Sequence, residues 1–340
     1  MKFIDLFAGI GGFRFGMESA GHECVAFCEI DKFARASYKA IHNTEGEIEL
    51  HDITQVTNDE IRNIGHVDAI CGGFPCQAFS IAGHRRGFED TRGTLFFEIA
   101  RFAAILKPKY LFLENVKGLL NHDKGNTFEV ILSALDELGY DVEWQVLNSK
   151  DFGVPQNRER VFIIGHLRRE RGRKIFPLGR ENEKSSAERL GINILGNTKN
   201  PNGTAQGTRD IVCDPKGIVG TLTATDYKGP KQIRVREATK QGYAEADVGD
   251  SVNLSHPNSK TRRGRVGEGI ANTLVTGDSQ GVVTPNFRIR KLTPRECWRL
   301  QGFPDWAFDK AQEVNSSSQL YKQAGNSVTV NVIKEIARYL

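Results

Sequence analysis

The sequence predicts an α/β protein with a mostly parallel sheet covered on both faces, and a second, smaller, loop-rich domain. Three observations carry this. Short apolar runs at residues 3–7, 24–28, 67–71, 110–113 and 161–165 alternate with longer helical patterns, as expected of strands buried on both faces. The chain opens strand, glycine turn, helix, the start of a nucleotide-type βαβ unit. From Arg168 to about residue 287 the texture changes to Gly, Asn, Thr and basic residues, with few large apolar side chains. Disorder is the other reading of that stretch, but hydrophobics recur often enough to favour a folded module.

At 340 residues the chain is comfortable for two domains. No apolar run approaches the length of a membrane span, and no secretory signal precedes the first strand pattern at Phe3. The six cysteines contain no Cys-x-x-Cys pair, so neither a zinc site nor a disulfide framework is suggested and a reduced, cytoplasmic setting fits. Net charge is only +4. Local basic clusters at residues 168–174 and 260–265 could meet phosphates or be solvated surface.

Taking the elements in order, the first strand pattern ends in Ala8-Gly9-Ile10-Gly11-Gly12, where glycines let the backbone approach a ligand closely. The dinucleotide fingerprint Gly-x-Gly-x-x-Gly fails because Arg14 holds its last position. The next strand ends at Glu29, about 20 positions beyond the glycine turn, where a carboxylate suits a pair of ribose hydroxyls. Compensation of helix N-terminal charge is its alternative role. Residues 67–71 form a strand stopped by Gly72-Gly73, after which Pro75 fixes the direction of the loop bearing Cys76. That thiol is either a reactive group at a strand's carboxyl end or a buried small hydrophobe. A buried helix at 95–106 stops before Pro108, and the strand at 110–113 delivers Glu114-Asn115-Val116. A helix at 127–138 follows, and Gln156-Asn157-Arg158-Glu159-Arg160 brings two arginines to the start of another strand. Thr293, Pro294 and Glu296 compose a full helix-start signal, and an amphipathic helix closes the chain.

A thiol, a carboxylate and two arginines therefore meet at loops and strand ends beside a nucleoside-type site. Pyrimidine C5 is a poor nucleophile until something adds at C6. A thiolate can add there, an acid near N3 can stabilise the electron-rich intermediate, and nearby arginines raise the thiolate fraction of a thiol whose free pKa is about 8.5.

With these residues in view, the chain closely resembles the C5-cytosine DNA methyltransferases of bacterial or phage type. The resemblance spans nearly everything outside the variable middle. Residues 5–12 resemble the family's cofactor loop, Pro75-Cys76-Gln77 its nucleophile motif, Glu114-Asn115-Val116 its acid motif, and residues 156–160 its arginine motif. Residues 290–296 and Gly325-Asn326-Ser327-Val328 match its last two blocks. The resemblance implies a class I S-adenosylmethionine methyltransferase fold of Rossmann-like type. It makes Cys76 the nucleophile and Glu114 the residue facing cytosine N3, with Arg158 and Arg160 around nucleophile and base. Phe7, Ala8, Gly9, Ile10, Gly12, Glu29, Ile30, Asp52, Ile53, Pro75, Leu95, Asn326, Ser327 and Val328 would line the site for S-adenosylmethionine, with S-adenosylhomocysteine as product and no metal.

Gln77, Ser80, Arg92 and Thr273 would contact DNA. Thr221-Leu222 competes with Thr273-Leu274 for the family's Thr-Leu pair, and the second is preferred because it sits shortly before the Arg290 block. The implied catalytic domain is 1–175 completed by 316–340, with the target-recognition domain and hinge at 176–315. The loop 79–94, with Gly83, Gly87, Gly93 and a basic trio at 84–86, would close over bound DNA. Partners would be double-stranded DNA and, where one is encoded, a cognate restriction endonuclease; the chain would act as a monomer. RNA methylation is the nearest alternative, but that branch carries Cys-Phe-Thr in its middle region, whereas Cys213 here precedes Asp214. Amino-methylation would need an Asp/Asn-Pro-Pro-aromatic motif in place of Phe74-Pro75-Cys76. An NAD-dependent dehydrogenase explains neither Cys76 nor Glu114, and a binding-only regulator would not need every catalytic position filled.

Overall fold

The strand-turn-helix pattern at the start of the chain forms β1 (Lys2–Leu6) and α1 (Gly12–Ser19), followed by β2 (Glu23–Cys28), α2 (Lys32–Ile41) and β3 (Ile48–Leu50). The structure, a computed structural model, describes residues 1–75, 95–168, 174–178, 233–255, 259, 261, 263–276, 280–285 and 289–340. The order continues with α3 (Asn58–Asn63), β4 (Ala69–Gly73), α4 (Leu95–Leu106), β5 (Tyr110–Val116), α5 (Asn126–Glu137), β6 (Tyr140–Asn148) and β7 (Glu159–Leu167).

These seven strands make one sheet in the order β3-β2-β1-β4-β5-β7-β6. β7 is antiparallel to both neighbours and alone runs against the rest, so the expectation of a mostly parallel sheet is met. Alternation along each strand builds two cores, because successive side chains leave on opposite faces. Ile4, Leu6, Leu111 and Leu113 face α4 and α5 through Phe96, Ile99, Phe102, Ile131 and Leu135. Phe3, Tyr110, Phe112 and Ile164 face the other way, onto Phe13 and Met17 of α1. That second face is finished by the far end of the chain. Val332, Ile333 and Ile336 of α9 (Val330–Ala337, introduced here with its predecessors α6, Pro294–Leu300; α7, Asp305–Val314; α8, Ser317–Asn326) join Phe3 and Phe13 in one cluster.

The intervening region contains β8 (Ile233–Arg236) paired with β9 (Tyr243–Ala246), and an antiparallel sheet of β10 (Ser251–Asn253), β11 (Val266–Gly267), β12 (Gln280–Val283) and β13 (Ile289–Lys291). Its small core is Val235, Ala246, Val252 and Val283. A third apolar cluster joins the halves. Ile10 and Ile41 pack with Ala271, Leu274, Trp298, Phe308, Leu320 and Ala324. The helix-start signal at 293–296 is realised as a capping box at α6, with the Thr293 hydroxyl accepting from Glu296 N and the Glu296 carboxylate from Thr293 N.

Candidate active site

Two strand ends define the site. β4 and β5 are parallel neighbours, with Gly73 in register with Glu114. One residue on, the Asn115 amide donates to the Phe74 carbonyl at 2.9 Å, while its own oxygen accepts from Val116 N at 2.8 Å. This stitches the two strands immediately before the exposed Pro75, where the chain sets out toward Cys76. Cys76, Gln77, Ser80 and Arg92 lie outside the described residues, as do the loop 79–94 and Thr221-Leu222.

Glu114 is 7% exposed. On β7, whose Phe162 pairs with Glu114 and whose Arg160 pairs with Val116, the Arg160 guanidinium reaches sideways so that Nε lies 3.0 Å from Glu114 Oε1. Burial raises the proton affinity of the Glu114 carboxyl, and the cations of Arg160 and Arg158 oppose that rise. Arg158 is only 3% exposed. It binds backbone: Nη2 donates to Ser327 O at 2.7 Å and Gly325 O at 3.3 Å, and Nη1 donates to Leu274 O at 3.3 Å. Its Nε has no hydrogen-bond partner among the described residues. Burial, reinforced by the like charge of Arg160, brings its pKa down to about 9. The two arginines expected to share one role thus separate, one facing the carboxylate and the other clasping main chain.

The glycine loop lies at the neighbouring strand end. Phe7 and Gly9 adopt left-handed backbone, and Ala8 N donates to Cys28 O, tying the loop to β2. Glu29 accepts from Gly9 N of this loop through Oε2 and from Asp31 N of its own turn through Oε1, each at 2.8 Å. Burial raises its proton affinity. The helix-cap alternative goes to another residue: Asp31 caps α2 by accepting from Phe33 N and Ala34 N. Ile30 is 67% exposed beside this carboxylate, and a side chain built on Gly9 would meet nothing within 4 Å. An exposed apolar face, a fixed carboxylate and open space over glycine fit a nucleoside.

Asp52 Oδ1 accepts from the backbone and hydroxyl of Thr54, shaping the loop that buries Ile53. Leu95 begins α4. Ser327 and Val328 stand against Gly12 at the start of α1, and Asn326 is exposed at the end of α8. Arg14, which breaks the dinucleotide fingerprint, is buried and paired with Glu47 at 2.6 Å and Glu18 at 2.7 Å.

Thr273 belongs to a segment docked on the arginine strand. Ala271 N donates to Pro155 O, Asn157 N to Ala271 O, and the Thr273 hydroxyl to Asn157 O at 2.7 Å. Two glutamines that carried no expected role hold this junction. Gln156 Nε2 donates to Leu300 O at 2.8 Å, and its Oε1 accepts from Leu274 N at 3.1 Å. Gln301 Nε2 donates to Ala324 O at 2.7 Å, and its Oε1 accepts from the Thr329 hydroxyl at 2.9 Å. Both are fully buried. In the sequence Gln156 opens the arginine motif, and Gln301 follows directly on the last residue of α6. Of the basic clusters, Arg168 pairs with Asp141 at 2.7 Å and with Asp136.

The sheet with one reversed strand, the helices on both its faces and the glycine loop at the first strand end give an α/β protein of methyltransferase architecture. Solved structures agree: a putative DNA modification methyltransferase from an Escherichia coli prophage matches with TM-score 0.62 at 24% identity over 99% of this chain and 97% of that one. The Schizosaccharomyces pombe (S. pombe) Dnmt2 methyltransferase matches with TM-score 0.57 at 19% identity over 98% and 96%. At these identities the likeness is one of fold. The C-5 cytosine-specific DNA methylase family model matches residues 1–340, and the chain belongs to that family. It is 40% identical to the type II methyltransferase M.HhaI of Haemophilus parahaemolyticus over 99% of this chain and 93% of that protein. It is 38% identical to M.NlaX of Neisseria lactamica over 100% and 96%, and 34% identical to the orphan methyltransferase M.SPRI of Bacillus phage SPR over 100% and 97%. The chain is a DNA (cytosine-5)-methyltransferase dependent on S-adenosylmethionine. Among the described residues no helix is long and apolar enough to cross a membrane.

Proposed function

We propose that methylation proceeds through covalent attack by Cys76 on a cytosine flipped out of duplex DNA, with Glu114 as acid and Arg160 as its orienting cation. The observation that carries this is the Arg160–Glu114 pair beside the end of β4, from which the chain leads directly to Cys76. The Cys76 thiolate forms an S–C6 bond, and the C5–C6 π electrons shift through C4 toward N3. Glu114, whose proton affinity burial has raised, gives its proton to N3 as that charge develops. S-adenosylmethionine, when bound, supplies an electrophilic methyl group, which the now nucleophilic C5 accepts. Loss of the C5 proton to water lets the C5–C6 double bond re-form, with the S–C6 electron pair returning to sulfur and the N3 proton returning to the Glu114 carboxylate.

Glu29 suits the ribose hydroxyls and Ile30 the adenine face. Phe7, Ala8, Gly9, Ile10 and Gly12 would follow the methionine part, with Asp52, Ile53, Pro75, Leu95, Asn326, Ser327 and Val328 completing the walls. Arg158 acts by holding the backbone of Leu274, Gly325 and Ser327. No metal takes part. The catalytic unit is 1–175 with 316–340; the region 176–315 reads the target, with Thr273 at the junction. The enzyme works as a cytoplasmic monomer, and a restriction endonuclease is its partner where one is encoded beside it.

Transfer of labelled methyl from the cofactor to matched DNA and RNA duplexes tests the reading. Label is expected in DNA alone, with Cys76→Ser binding the same DNA but transferring nothing. A serine variant working near the parent's rate would overturn the covalent route, and preferential labelling of RNA would overturn the substrate.

A further inference from the structure

Helix α4 is apolar except for Glu98 and Arg101, and Arg101 is directed away from the helix onto the loop that follows β3. Its Nη2 donates to Ile53 O at 3.0 Å and its Nη1 to Val56 O at 2.7 Å, with a further bond from Nη1 to Asn58 Oδ1 at 3.0 Å. Nε donates to Glu98 Oε2 at 2.9 Å, which fixes the plane of the guanidinium. Among the described residues the loop has local bonds, with Asp52 Oδ1 capping Thr54 and Gln55 N returning to Asp52 O, and one tie to β2, where the Cys28 thiol donates to His51 O at 3.2 Å. His51, Thr54 and Gln55 are exposed, leaving Ile53 and Val56 as its apolar anchors.

We infer that Arg101 is a positioning residue of the cofactor site, fixing the Asp52–Ile53 wall relative to the Leu95 wall carried on the same helix as Arg101 itself. The inference rests on the reading of Asp52, Ile53 and Leu95 as cofactor walls. A planar fork satisfies two carbonyls at a set separation, which an ammonium cannot reproduce. Without it the loop samples other arrangements, and affinity falls by the fraction of molecules that keep the competent one. Arg101 itself touches no reacting atom, so its loss acts on binding and leaves the chemical step in place.

The test is the dissociation constant of S-adenosylhomocysteine for the full chain, measured by calorimetry in Arg101→Met, Arg101→Lys and Asp52→Ala. A competent fraction of about one tenth in Arg101→Met raises the constant about tenfold. Arg101→Lys, keeping one of the two carbonyl bonds, is expected to raise it about threefold, and this variant decides the matter if the methionine form does not fold. The constant for DNA and kcat at saturating cofactor are expected to stay within about twofold of the parent in both. Parent-like cofactor binding in both Arg101 variants, with weakened binding in Asp52→Ala, would overturn the role of Arg101. So would a loss of DNA affinity and kcat in step with cofactor affinity, which marks general destabilisation. Parent-like binding in Asp52→Ala would instead strike at the cofactor reading of the loop.

Discussion

Arg160 Nε stands 3.0 Å from Glu114 Oε1 across antiparallel β7 and β5, with the carboxylate buried and the guanidinium reaching it from the strand edge. Burial and the arginine act in opposite directions on the carboxyl, burial raising its proton affinity and Arg160 lowering it. The pair therefore tunes a proton that the chemistry needs.

Glu114→Gln is expected to lower kcat by about two orders of magnitude, the usual worth of a positioned acid, with cofactor affinity within about twofold. In Arg160→Gln the stronger of the two lowering cations is gone, leaving Arg158, so the Glu114 pKa rises further. Since the protonated carboxyl is the active form, activity is lost as pH rises through that pKa, and the alkaline limb of kcat should move to higher pH. A limb that moves to lower pH, or does not move, would rule out Glu114 as the proton donor.

Arg158→Lys should destabilise the fold by about 2–3 kcal/mol, because a single ammonium leaves buried carbonyls among Leu274, Gly325 and Ser327 without a donor. Denaturant unfolding reads this directly. Stability equal to the parent would mean that water or a neighbouring group takes over the three carbonyls.

Gly325 has no space for a methyl group: its Cβ would lie 2.4 Å from both the carbonyl carbon and oxygen of Val275, which are backbone and cannot rotate away. Gly325→Ala is thus expected to push the 271–276 segment off α8, costing about 1–3 kcal/mol of stability and weakening DNA binding about tenfold. Retained DNA affinity would show that this segment's register does not matter for recognition.

His42 is buried, and its Nε2 donates to Ile10 O at 3.3 Å, so that nitrogen carries the proton of the neutral ring. Burial, assisted by the charge of Arg14, pulls its pKa from 6.5 to about 3. Above pH 6.5 the ring is neutral whether the chain is folded or not, and its contribution is complete. As pH falls from 6.5 toward 3 the unfolded chain takes up a proton that the folded one refuses, so stability drops by roughly 1.4 kcal/mol per unit of separation at most. His42→Gln keeps an amide donor and removes this slope. Its melting temperature should fall less steeply than the parent's between pH 6.5 and 4.5, and parallel curves would exclude His42 as the source.

Much of the fold was readable because its signals are local. Apolar runs at residues 3–7 and 110–113 mark strands buried on both faces, whose period of two then sorts the side chains between two cores, and Thr293 with Glu296 states a helix start within four residues. The glycine loop and Glu29 were likewise placed by spacing and then found bonded to each other. By contrast, α7 and α8 were not anticipated as separate helices. Their apolar residues, such as Phe308, Leu320 and Ala324, face a cluster assembled from distant segments.

By itself the sequence determined the layered α/β architecture, the glycine turn feeding α1, and the set of reactive residue types carried at strand ends. Periodicity, caps and turn residues act through neighbours in the chain, so they can be read from it directly. Only the tertiary structure decided that β7 enters reversed between β5 and β6, that Arg160 takes the carboxylate while Arg158 clasps main chain, and that Gln156 and Gln301 hold the junction. The physical reason lies in the acceptors. Leu274, Gly325, Ser327, Leu300 and Ala324 offer backbone carbonyls, which every residue possesses. A carbonyl leaves no mark in an amino-acid sequence, and folding alone chooses which one a distant guanidinium or amide will reach.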